Sequence, residues 1–236
     1  MSEPPRAVPE GPPTVPAEGK PLLRELLESI VVVVILTLFI RTWIFQAFEI
    51  PTGSMEPNLL VGDHLLVNKL AYSPSLGAFE PWLLGKRELA RGDVVVFKYP
   101  QDPRRDYIKR VIGLAGETVE VRGKQVLVDG VALSEPYARF PEPAHEGDAE
   151  GTQPAATDGF GPTRVPTGEL FVLGDNRDRS RDSRSWGFLP RDQVKGRALI
   201  VYWSHPGADA GYHRAGFLQY AAFGDARFDR LGLVIR

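Results

Sequence analysis

The stretch FEIPTGSMEPNLLVGDHLLVNK, Phe48 to Lys69, is where the character of the chain changes. An apolar run ends at its start, and short alternating runs follow it. In between lies a stiff loop: Pro51 and Pro57 fix φ and each remove a backbone donor, and Gly53 permits conformations closed to other residues. Ser54 sits inside that loop, between Gly53 and Met55. By itself a serine among glycine and proline is an ordinary turn residue. Its neighbours along the chain decide whether it is more.

Downstream the pattern is β. The runs HLLVNKL, DVVVFKY, DYIKRVIGL, ETVEVRG, QVLVDG, LFVLGD and ALIVYW are short, rich in branched residues, and separated by Gly, Pro or Asp. Short strands with turn signals between them predict a mainly β fold of sandwich or barrel type. Two segments break the rhythm. Tyr72 to Arg91 carries Phe79, Trp82, Leu83 and Leu84 in a Gly/Pro-containing loop, and Tyr137 to Pro166 is rich in Pro, Gly and acids, as a variable insertion would be.

Upstream, LLRELLESIVVVVILTLFIRTWIFQAF is apolar on all sides of a helix through its middle, which points to lipid rather than to a half-buried surface helix. From Leu22 to Phe45 such a helix would be about 36 Å long, enough for a hydrocarbon layer of roughly 30 Å. A cleavable signal peptide is the competing reading, but no small-x-small cleavage site follows. Arg6, Lys20 and Arg24 on one side against Arg41 on the other place the amino terminus in the cytoplasm and the main domain outside. The expected plan is a disordered proline-rich tail over 1–21, a transmembrane anchor over 22–47, and a β-rich domain over 48–236 with a variable insertion at about 137–166.

Composition narrows the functions. Hydrophobic content of 43% and charged content of 25% are those of a globular protein. A net charge of −2 supplies no basic field for nucleic acid. The chain has no cysteine, which excludes disulfides, thiolate metal sites and a cysteine nucleophile. His64, His145, His205 and His213 are scattered and form no H-x3-H or HExxH pattern, so no metal site and no cofactor are expected.

A serine nucleophile needs a base. His64 is ten residues on, but no acid is obviously placed to orient it, and a structural histidine at a strand start is the plainer reading. A lysine can serve if burial lowers its pKa. In RDYIKRVIGLAGE, alternation puts Tyr107, Lys109 and Val111 on one face and Ile108, Arg110 and Ile112 on the other. Either cation could point inward, but arginine cannot act as a base. If this strand carries catalysis, Lys109 does it; the bland alternative is a snorkelling lysine. The run LGDNRDRSRDSRSWGFLP, Leu173 to Pro190, mixes Asp, Arg and Ser between an apolar strand and Trp186-Gly187-Phe188, as a loop cross-linked by hydrogen bonds would.

TGSMEPNL, GDHLLVNK, YIKRVIGLAGE and GDNRDRSRDSRSWGFLP, in this order after an apolar segment, closely resemble the boxes of bacterial type I signal peptidases over about residues 48 to 200. The resemblance implies a Ser–Lys dyad with Ser54 as nucleophile and Lys109 as general base. It implies an oxyanion hole from the Ser54 backbone N–H and the Thr52 hydroxyl, and a lysine-orienting role for Ser180. Asp182 and Arg184 match the pair that holds the loop, and Gly53, Met55, Pro57, Asp175, Asn176 and Arg177 belong to the same boxes. The implied fold is a coiled antiparallel β core with an inserted β extension. The implied partners are exported preproteins, cut after small residues, and the lipid bilayer; the implied location is the bacterial inner membrane with the catalytic domain on its periplasmic face. This sequence departs from the pattern at Thr52, where many members have Ser, at Asn58 in place of Thr, and at Ala115-Gly116-Glu117 in place of Pro-Gly-Asp. Self-cleaving repressors share the dyad but carry a DNA-binding segment where this chain has its apolar run. A peptidase with a narrow substrate set and a non-catalytic β-domain that binds partners are the remaining alternatives.

Overall fold

Valine, isoleucine and leucine on every side of α1 (Leu22–Phe39) leave it without a polar stripe, and none of its residues is buried. The computed structural model describes residues 22–72, 88–141, 159–206 and 226–235. Within them the chain divides after Phe39 into an amino-terminal unit holding α1 and a second unit from Ile40 onward. No helix among the described residues is long and apolar enough to cross a membrane. Arg24, Glu25 and Glu28 occupy the first two turns of α1, and Arg24 pairs with Glu28 at 2.8 Å.

The helix expected from Leu22 to Phe45 ends earlier, at Phe39. A π-helical turn covers Ile40–Ile44, and Phe45–Glu49 is already strand β1, paired antiparallel with β2 (Asp63–Asn68) from Phe45 opposite Asn68 to Glu49 opposite His64. Phe45 and Phe48 are compatible with a helix end or a strand, and the partner strand decides.

Among the described residues of the second unit, the strands of both sheets pair antiparallel. Its main sheet also contains β3 (Val94–Tyr99), β4 (Asp102–Gly113), β9 (Glu169–Leu173), β10 (Leu189–Pro190) and β11 (Val194–Ser204), in the order β1-β2-β11-β3-β4-β9-β10. Between β4 and β9 the chain makes a separate four-stranded sheet from β5 (Thr118–Arg122), β6 (Gln125–Val128), β7 (Val131–Ala132) and β8 (Gly159–Arg164), ordered β7-β6-β5-β8. This is the inserted β extension. Register shifts along β11 and at the end of β3 bend the ladder.

Strand β3 explains its own sequence. Val94 and Val96 pack into one apolar cluster with Ile50, Met55, Leu59, Leu65 and Val67, while Val95 and Phe97 pack into another with Val111, Leu170 and Val172. Both faces are covered, so the strand reads as a continuous apolar run rather than an alternating one. A third cluster, with Ile112, Val119, Val126, Phe171 and Leu173, joins the inserted sheet to the main one. The proline-rich tail, the loop with Phe79 to Leu84, the middle of the 137–166 insertion and residues 207–225 lie outside the described residues.

Candidate active site

The loop between β1 and β2 turns through a 3-10 segment at Gly53–Met55, preceded by Thr52 in extended conformation. Met55 is the fixed point: its side chain is fully buried in the apolar cluster under β2. That burial holds the neighbouring Ser54 against β4, and Ser54 is itself buried. The Lys109 amine lies 2.6 Å from Ser54 Oγ and donates its other observed hydrogen bond, at 3.0 Å, to the carbonyl of Ile108.

Lys109 is 3% exposed, and desolvation brings its pKa down to about 8; Asp182 and Asp175 oppose that shift and Arg184 adds to it. The ring of Tyr107, on the same strand face, is 5.5 Å from the amine. Arg110 goes to the opposite face by alternation. It makes a two-pronged pair with Asp175 at 2.8 and 2.7 Å and donates to the carbonyl of Gly92. Of the two adjacent cations, the one able to lose a proton faces the serine.

The loop after β9 clamps the serine loop from the other side. Asn176 donates from its backbone N–H to the Ser54 carbonyl at 3.1 Å and from its side chain to the Gly53 carbonyl at 3.0 Å. Asp175 also accepts from Asn58 at 2.9 Å, which ties the two loops together. Asp182 receives Arg184 through two nitrogens, both at 2.9 Å, and accepts the N–H of Gly174 at 3.1 Å. Arg184 continues to the carbonyl of Arg177, and Arg177, 2% exposed, pairs with Glu135 from the inserted segment. The mixture of Asp, Arg and Ser is thus a buried network, not a solvated charge run. Ser183 belongs to it, accepting the N–H of Val172 at 3.0 Å.

Two expectations are modified. Gly53 does not use a left-handed backbone; what crowds a side chain there is the carboxylate of Glu56, 2.9 Å from where a Cβ would sit. Ser180 is buried, yet its hydroxyl has no hydrogen-bond partner among the described residues, and the Ile108 carbonyl steadies Lys109 where Ser180 was expected to. His64 bonds neither member of the Ser54–Lys109 pair; its Nε2 is 3.1 Å from Nε2 of His205. Half-burial lowers its pKa, His205 adds to that effect, and Glu49 and Asp63 oppose it. Thr52 remains exposed and caps nothing with its side chain, and Pro57 is exposed on the loop rim.

Gly174 is the functional residue that sequence reading passes over. A Cβ there would lie 2.1 Å from Ser180 Oγ and 2.5 Å from the Ser54 carbonyl oxygen. Backbone has to approach backbone at this point, and glycine alone allows it. Gly174→Ala is expected to cost about 1–3 kcal/mol in stability from overpacking. It should also lower kcat/KM on the order of 100-fold by displacing the serine loop. Thermal unfolding and steady-state kinetics on one preparation check both.

A hydroxyl against a buried, deprotonable amine is a nucleophile–base arrangement. A family profile described as signal peptidase, peptidase S26, matches residues 23–203. The chain belongs to this family. It is 35% identical over 229 residues to signal peptidase I of Aquifex aeolicus (strain VF5), covering 77% of this chain and 85% of the relative. It is 38% identical over 214 residues to signal peptidase I of Leptolyngbya laminosa, covering 86% of this chain and 92% of the relative. A crystal structure of a signal peptidase I from Enterococcus faecalis V583 is 37% identical, covers 47% of this chain and 97% of its own, and has a TM-score of 0.35. The protein is therefore a hydrolase of the signal peptidase family, and signal-peptide removal is the activity that the family membership supports.

Proposed function

We propose that this protein is a membrane-anchored serine endopeptidase that removes signal peptides from exported preproteins, cutting after small residues through a Ser54–Lys109 dyad. The observation that carries this reading is the 2.6 Å contact between Ser54 Oγ and an amine buried enough for its pKa to fall to about 8.

Neutral Lys109 takes the hydroxyl proton as Ser54 Oγ attacks the scissile carbonyl. The carbonyl π bond opens to an oxyanion that faces the Ser54 N–H and the Thr52 hydroxyl. The ammonium then returns its proton to the leaving amine as the tetrahedral intermediate collapses to an acyl-enzyme. A water, deprotonated by the same lysine, attacks the ester and releases the new carboxyl terminus and Ser54. The Ile108 carbonyl holds the amine between these steps, and the buried Ser180 hydroxyl, which has no hydrogen-bond partner among the described residues and sits beside Gly174, is a second acceptor proposed for it. The clamp of Asn176 on the Gly53 and Ser54 carbonyls keeps the nucleophile from drifting, which favours rate through orientation.

Anchoring rests on α1. Its apolar residues, Leu22 through Phe39, are exposed on all sides, far more apolar surface than a water-facing helix carries. With Arg24, Glu25 and Glu28 at the headgroup level, Ser29 to Ile44 leaves about 24 Å of apolar helix to bury in the layer, short of a full hydrocarbon thickness by itself, with the β domain proposed on the outer face.

Incubating the detergent-solubilised protein with a preprotein and sequencing the product tests the reading. A new amino terminus directly after a small residue at the end of the signal peptide is expected. An intact preprotein, or a cut that persists when Ser54 is replaced by alanine, would refute it.

A further inference from the structure

Glu49, His64 and His205 come from three neighbouring strands. Glu49 ends β1, His64 faces it directly across the ladder, and His205 follows the last residue of β11, the strand on the other side of β2. One ligand atom from each, a carboxylate oxygen and two imidazole nitrogens, lies within 4.8 Å of the others. Leu65 and Val67 of β2 point into the apolar core, so by alternation His64 projects from the opposite face of the sheet, where Glu49 is exposed and both histidines are partly accessible. An ion can reach the group from solvent.

The ring orientation is also suitable. His205 Nδ1 lies 2.8 Å from the carbonyl oxygen of Pro206. A carbonyl can only accept, so Nδ1 carries a proton, and Nε2 is the ring atom turned toward the group. A backbone carbonyl behind the far nitrogen is the usual support of a metal-ligating histidine. That Nε2 faces Nε2 of His64 at 3.1 Å. Two nitrogens bound to one tetrahedral zinc at about 2.05 Å would be about 3.3 Å apart, so the observed spacing needs little change to admit the ion.

We propose that Glu49, His64 and His205 bind one divalent transition-metal ion of the zinc class, with solvent completing the coordination. Two imidazoles and a carboxylate suit Zn2+, Co2+, Ni2+ or Cu2+ and disfavour Mg2+. The position gives the site a mechanical consequence. The Glu49–His64 pair is the last rung before the loop that carries Ser54, and the ion fastens that rung to the end of β11. Among the strands, β11 and β3 separate β2 from the β4 strand of Lys109, so the ion braces the stem of the loop and takes no part in the proton transfers.

The test uses the full-length protein in detergent, without a histidine tag, titrated with Co2+ alone and with Zn2+ alone. One equivalent of Co2+ should give the intense visible d–d bands of a low-coordinate site, Zn2+ should abolish them, and Zn2+ should raise Tm. His64→Ala, His205→Ala and Glu49→Gln should each weaken Co2+ binding by at least about tenfold and suppress the rise in Tm, while their metal-free preprotein cleavage shows that they are folded. Mg2+ should do nothing. No Co2+ spectrum from the wild-type protein, or binding unchanged in cleavage-competent variants, overturns the proposal. Because the readout is metal binding, failure here leaves the Ser54–Lys109 reading untouched, and failure of that reading leaves this one testable by spectrum and Tm.

Discussion

Lys109→Arg will leave the protein folded and inactive. The substitution keeps a cation on the same strand face, but guanidinium does not release its proton at any working pH, so Ser54 is never deprotonated. Lys109→Ala and Ser54→Ala should be equally inactive, because members of a nucleophile–base pair act as a unit and losing either removes the whole advantage. Losses of at least about 10⁴-fold in kcat are expected on that basis. His64→Ala, at a residue that bonds neither partner of the pair, should retain most activity. Preprotein cleavage with purified variants, alongside thermal unfolding, checks this. An inactive, folded His64→Ala beside an active Lys109→Ala would replace the lysine with a histidine as base.

The second large effect concerns stability. Arg110 and Asp175 are 3% and 1% exposed, and their two-pronged pair joins β4 to the loop after β9. Asp175→Ala leaves the guanidinium buried without its carboxylate, and breaking such a pair typically costs 3–5 kcal/mol. That is a large share of a typical total of roughly 5–15 kcal/mol. Asn58 loses an acceptor at the same time. Replacing both partners, as Arg110→Met with Asp175→Leu, removes the stranded charge and should recover part of the loss. Urea unfolding of the single and double variants measures it. A single variant as stable as the wild type would mean that the pair does not hold the loop.

What the sequence disclosed, and what it did not, follows from range. Alternation in YIKRVIGL is local, so the separation of Lys109 from Arg110 onto two faces could be read directly. Which face met the serine could not, because the loop that settles it arrives from 55 residues away. The stiffness of the Ser54 loop was visible in its prolines, but the reason for Gly53 was not, since it depends on where the Glu56 side chain turns back. Gly174 looked like any glycine at a strand end; its necessity comes from the Ser54 carbonyl, across the whole inserted sheet. Phe45 and Phe48 fit a helix end or a strand equally well, and pairing with Asp63–Asn68 chose the strand. His64 and His205 are 141 residues apart, a separation that no motif spacing reveals. The resemblance to a peptidase family pointed to Ser54 and Lys109, which the fold brings to 2.6 Å of each other, while Asn58, Arg110, Glu135 and Ser183 had to wait for the packing.

The central claim is that a neutral, desolvated lysine is the base, and the pH dependence of kcat/KM for preprotein cleavage tests it most directly. Burial favours the neutral form, so the active fraction is lost as pH falls through the lowered pKa and restored as it rises. Below the break the rate should fall about tenfold per pH unit, and the break itself should lie near 8, the value to which burial brings Lys109. A rising limb centred there, present in His64→Ala as in the wild type, is the predicted result. A break in the ordinary imidazole range that disappears in His64→Ala would contradict the account.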